Sequence, residues 1–205
     1  GKRGLHVGVS AEAEALARWR ETNFSELERL GARSWRSELA EHDNSPLVEG
    51  LAPMLPDGIS NLEQLKAFID SFCETDDPQV FALALQVLGV PEDQAGGARH
   101  RWDAAGRPPL DEFLPYAVHV FKVELLFYLG AGRGFISGER SSNKVDMAYL
   151  YYLPFCMVFT SGDRLHQRTA PLFMRPDQSF LGAQELKEAM RELDDHYEEL
   201  PYAIK

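Results

Sequence analysis

The chain has 205 residues, 44% hydrophobic and 26% charged, a composition that provides for one substantial core or two small ones and argues against disorder. Its net charge of -11 and pI near 5.0 argue against a surface built throughout to hold nucleic acid. They do not exclude a metal-dependent nuclease, because such sites gather carboxylates whose sign bound cations reverse.

Lys2 and Arg3 precede no apolar signal core, so the expected location is the cytoplasm. His6-Val7-Gly8-Val9-Ser10 is the one strand-like piece near the start. Helices are expected over Ala11 to Arg20 and over Ser25 to Ala40, with Ser25 as N-cap. The turn-rich stretch His42 to Gly58 contains His42-Asp43, which could be read as a phosphohydrolase dipeptide but fits a turn better. A third helix is expected after Ser60, with Glu63 closing a capping box and Leu62, Leu65, Phe68, Ile69 and Phe72 at helical spacing. A fourth runs from Asp77 to Gly89 with Pro78 at its first position. Gln94 to Pro109, with Gly96-Gly97, Gly106 and Pro108-Pro109, reads as a connection. It separates a helical region, 1–105, from an α/β portion, 106–205.

Beyond it, Asp111 to Leu129 is expected as a long apolar helix, Arg133 to Ser137 as a short strand and Asn143 to Leu153 as a helix. Phe155 to Thr160 is expected as a strand that a parallel sheet buries on both faces. A helix over Leu165 to Phe173, a short strand over Ser179 to Leu181 and a helix over Ala183 to Leu200 complete an α/β pattern. The longest apolar runs fall well short of the roughly 20 residues a bilayer span requires, so no membrane association is expected. Cys73 and Cys156 lie in apolar surroundings and are expected as buried free thiols.

Three acids stand out. Glu124 interrupts the apolar stripe Phe113, Ala117, Val120, Phe127, and a buried carboxylate there must reach a base, a metal or a cleft. Asp146 lies in the first turn of its predicted helix, where an acid also suits the helix dipole. Asp163 ends the strand in Ser161-Gly162-Asp163, at the carboxyl edge where open α/β sheets bind ligands, and it could equally cap the next helix. His166 follows by three residues and could face the same cleft.

The run Asp146-x-x-Tyr149-Leu150 through Val158-Phe159-Thr160-Ser161-Gly162-Asp163-Arg164-Leu165 resembles the second half of a PIN-like nuclease domain. Gln178 to Leu186 resembles that domain's closing strand and helix. The resemblance covers about Asp111 to Leu200. It implies a helix-rich α/β fold, a PIN-like three-layer sandwich with a short parallel sheet and a helical N-terminal portion or insertion. It also implies that Glu124, Asp146 and Asp163 ligate Mg²⁺ or Mn²⁺, that Ser161 steadies a ligand or water, and that the reaction is hydrolysis of RNA or single-stranded nucleic acid. Arg140, Lys144, Arg164 and Arg168 would pair with phosphates. The resemblance leaves room for an inhibitory protein partner, such as an antitoxin, and for a homo-oligomer. One departure is plain: the Asp that ends the family's first strand has no counterpart here. The alternative reading is therefore a non-catalytic PIN-like interaction module, binding a protein through its acidic last helix or its aromatic surface Tyr149-Tyr151-Tyr152.

Overall fold

The structure, a computed structural model, describes residues 10–41, 45–138 and 140–199. The strand-like piece at His6 to Val9 and the dipeptide His42-Asp43 lie outside them. The chain divides into two compact units, Gly1–His42 and Asp43–Lys205.

The first unit holds α1 (Ala11–Arg20) and α2 (Glu26–Glu41). Ser25 caps α2 as expected. Its hydroxyl accepts from the Glu28 N–H at 3.3 Å, while the Glu28 carboxylate accepts from the Ser25 N–H at 2.7 Å, a reciprocal capping box. Arg18 grips the same carboxylate with two nitrogens, at 3.1 and 3.2 Å, and ties α1 to α2. That guanidinium, followed by the Ser25 backbone, holds the Glu28 carboxyl down at about 2.

The second unit contains α3 (Ser45–Leu51), α4 (Leu62–Cys73), α5 (Pro78–Val87), α6 (Glu92–Ala104), α7 (Leu110–Phe113), α8 (Pro115–Gly132), α9 (Ser141–Ala148), β1 (Val158–Ser161), α10 (Arg164–Thr169), β2 (Ser179–Gly182) and α11 (Ala183–Glu199). Every residue of α8 from Val123 to Gly130 is buried, as befits a central helix that is apolar on all sides. α4 brings Leu62, Leu65, Ile69 and Cys73 against it, and α3, α5, α7, α9 and the segment Tyr149–Phe155 also pack on it. Burial pushes the Cys73 thiol up to about 12. Cys73 and Cys156 are both unpaired thiols, Cys73 buried and Cys156 half-buried.

Several elements differ from expectation, among them the helix expected over Asp111 to Leu129, which breaks at Leu114 before Pro115 into α7 and α8. The cap of α4 is Asn61, whose side chain accepts from the Gln64 N–H at 2.8 Å. Ser60 sits one residue outside, held by the Gln64 side chain, so the box is shifted by one. Gln94 to Ala104 is helical, inside α6, because Trp102 stacks on Phe81 with centroids 4.7 Å apart and outweighs Gly96-Gly97. Arg133 to Ser137 is no strand. Gly134, at φ +73°, and Phe135 return their N–H groups to the Ala131 and Gly130 carbonyls, closing α8 in a Schellman turn. The helix expected over Asn143 to Leu153 begins at Ser141, which moves Asp146 into its second turn, and tightens to a 3₁₀ helix over Tyr149–Phe155. Pro154 disfavours α geometry at the residue before it.

β1 and β2 pair in parallel, Val158 opposite Ser179 and Ser161 opposite Gly182, with α10 and a 3₁₀ turn (Ala170–Phe173) between them. The architecture is thus helix-rich α/β with a short two-stranded parallel sheet. The strand starts three residues later than expected. It is also not buried on both faces: Val158 and Thr160 are exposed, Phe159 and Ser161 half-buried, because alternate side chains point to opposite faces and only one face is packed against the rest of the unit.

Candidate functional site

Glu124 reaches inward from α8 and is 6% exposed. Its carboxylate forms an ion pair with Lys144 of α9 and accepts a hydrogen bond from the Tyr151 hydroxyl. The Lys144 ammonium also lies 4.6 Å from the Tyr128 ring centroid and 5.2 Å from that of Phe127, a cation–π seat. Burial pulls Lys144 below the usual lysine value, with Glu124 acting in opposition. Burial and then the Glu124 charge push Tyr128 above the usual phenol value. The base that Glu124 needs is therefore Lys144, twenty residues along the chain.

A second cluster forms where β1 ends. Asp163 caps α10, accepting from the Leu165 N–H at 2.6 Å, and its own N–H donates to the Ser161 hydroxyl at 3.0 Å. His166, on the first turn of α10, is 6% exposed. Its Nε2 lies 2.7 Å from the Asp146 carbonyl oxygen and its Nδ1 2.7 Å from Ser161 Oγ. A carbonyl only accepts, so Nε2 carries the proton, and the Ser161 hydroxyl donates to Nδ1. Phe159 and Tyr149 meet the imidazole edge-on at 5.3 and 5.9 Å. Burial, and after it the Asp163 charge, raise the Asp146 carboxyl above its ordinary value. Asp146 and Asp163 are thus near enough to sense one another, and His166 binds their two elements together.

The expected residues therefore separate into two groups. Asp146, Asp163 and Ser161 come together; Glu124 and Lys144 are joined to each other. Among the described residues no group of three or more His, Cys, Asp or Glu side chains converges to hold a metal ion, so the trio does not fit as one ligand set. Arg140, preceding α9, and Arg164 and Arg168, on α10, are exposed, and Arg168 donates to the Phe135 carbonyl at 3.1 Å. Sequence reasoning gave His166 only a marginal place, because a helical histidine near a strand end carries no mark of its two partners.

The 3₁₀ helix shapes the neighbouring surface. Three residues per turn align Tyr149, Tyr152 and Phe155 along one edge and turn Leu150 and Leu153 into the core. Tyr152 is 65% and Phe155 72% exposed, and Phe155 packs on the half-exposed Tyr116 with centroids 5.0 Å apart. Met157 and Val158, where β1 begins, are exposed as well. Tyr151 leaves the aromatic surface to bond Glu124. Among the described residues no helix is long and apolar enough to cross a membrane. No protein-family model, curated protein or solved structure matches the chain.

Proposed function

We propose that this chain is a protein-interaction module on a PIN-like α/β scaffold whose acidic cluster serves the fold. The observation that carries this reading is the exposed aromatic edge Tyr149, Tyr152 and Phe155, with Tyr116 packed on Phe155, because an apolar surface of this kind suits a partner that holds it out of water. The engagement of Glu124 by Lys144 and Tyr151 supports it, since a carboxylate so occupied is not offered to a cation. A photo-crosslinking side chain at Tyr152 is expected to give a discrete adduct with another protein in cells, and one at exposed Glu63 none. Equal labelling at both positions would sink the reading.

A second reading is Mg²⁺- or Mn²⁺-dependent cleavage of RNA or single-stranded nucleic acid. It draws on the His166 bridge between the Asp146 carbonyl and the Ser161 hydroxyl, which brings the elements of Asp146 and Asp163 together; the exposed Arg140, Arg164 and Arg168 would then be the residues to meet phosphates. The module reading predicts no cleavage above an EDTA control and no difference between the parent and Asp146→Asn. Metal-dependent cleavage abolished by Asp146→Asn would establish the nuclease instead.

A further inference from the structure

The last helix carries more apolar surface than the fold uses. Along α11 the apolar residues Ala183, Leu186, Met190, Leu193 and Tyr197 follow one another at intervals of three and four, the narrow stripe of a helix that packs along a second helix. Only the beginning of this stripe is covered. α11 packs on β1 and β2, a Cβ built on Gly162 would lie 3.3 Å from that of Ala183, and Ala183 and Leu186 are half-buried. Past that point Met190, Leu193 and Tyr197 are 58%, 48% and 53% exposed, along a shallow groove shared with Arg191 and Asp194. The stripe that anchors the helix thus runs on with none of the described residues burying it.

Charge indicates what covers it. α11 carries seven carboxylates against Lys187 and Arg191, and the exposed half holds five of them against Arg191 alone. A second copy would bring the same excess of negative charge alongside. A helix with apolar residues at matching spacing and Lys or Arg on its flanks meets both the stripe and the field. We infer that the exposed half of α11 is the docking site for a basic amphipathic helix of a partner protein. This inference rests on the interaction-module reading and adds to it a second surface and the partner's chemistry.

The test titrates the full chain into a fluorescent synthetic peptide with leucines at three–four spacing and lysines on the flanks, alongside a glutamate-flanked counterpart. The lysine peptide is expected to bind at least about tenfold more tightly, a difference of ~1.4 kcal/mol that a few flanking ion pairs supply. Leu193→Asp should weaken it by about tenfold or more through loss of a central apolar contact. The double variant Glu192→Lys/Asp195→Lys should weaken binding of the lysine peptide and strengthen binding of the glutamate peptide, a gain that a loss of folding could not produce. Equal affinity for both peptides, no binding of either, or undiminished binding by Leu193→Asp would overturn the inference. So would sedimentation of the chain alone as a dimer that Leu193→Asp dissociates, because a second copy would then fill the stripe. Binding of the lysine peptide should survive Phe155→Asp. Failure here with a positive Tyr152 crosslink would end this inference alone, whereas metal-dependent RNA cleavage would end the reading beneath it.

Discussion

Removing one member of the Glu124–Lys144 pair should cost more than removing both. Glu124→Ala leaves the Lys144 ammonium among aromatic rings with no counter-charge, and about 3 kcal/mol of stability should be lost in urea titrations. Glu124→Leu combined with Lys144→Met should recover most of it, since buried ion pairs are commonly replaceable by apolar groups. Asp146 behaves in the opposite sense to a typical acid. Its carboxyl is raised in the folded chain, so the stability linked to it is present below the ordinary carboxylate range and is lost as pH rises through the folded value. Asp146→Asn should therefore raise the melting temperature at neutral pH, and the gain should vanish near pH 3, where the parent carboxyl is itself protonated. A functional metal ligand would show the pattern only when the cation is withheld. The burial of Glu124 was legible in the sequence because it broke an apolar period; its partner was not, because Lys144 lies on another helix and no local pattern marks it.

At the scale of elements, turn chemistry explains most of what the sequence concealed. Gly134 follows a long apolar helix and precedes Phe135-Ile136, a combination that reads as the start of a strand. The left-handed backbone at Gly134 instead folds Ile136 back over Gly130, where a Cβ would meet the Ile136 side chain at 3.1 Å. Gly134→Ala should cost about 1 kcal/mol through backbone strain, and Gly130→Ala should be more harmful if Ile136 cannot give way; thermal unfolding by circular dichroism reads both. The βαβ order around Asp163 was legible, because Phe159, Phe180 and the Ser-Gly-Asp stop carry it. The exposure of the strand was not, since an apolar run is the same whether one face of the sheet or both are covered. A shift of one residue in the α4 cap has a similar origin: Ser60 and Asn61 are both good caps, and Gln64 decides between them.

At the scale of the molecule, the buried apolar residues of the described chain all fall from Leu51 onward, so the second unit has a core of its own. A chain beginning at Asp43 should unfold cooperatively at a temperature within a few degrees of the parent, as followed by circular dichroism. Loss of cooperativity would mean that the first unit contributes to that core. The two thiols supply internal clocks for such experiments. Cys73 lies at the centre, its thiol pushed up to about 12, whereas Cys156 lies at the foot of the aromatic row with its sulfur directed at the Leu153 carbonyl, 3.6 Å away. A thiol-trapping reagent should therefore label Cys156 at the frequency with which that edge opens and Cys73 only at the frequency of global unfolding. A partner seated on Phe155 would slow the first label and leave the second unchanged. Occupancy of the surface could thus be read from trapping times before the partner has been isolated.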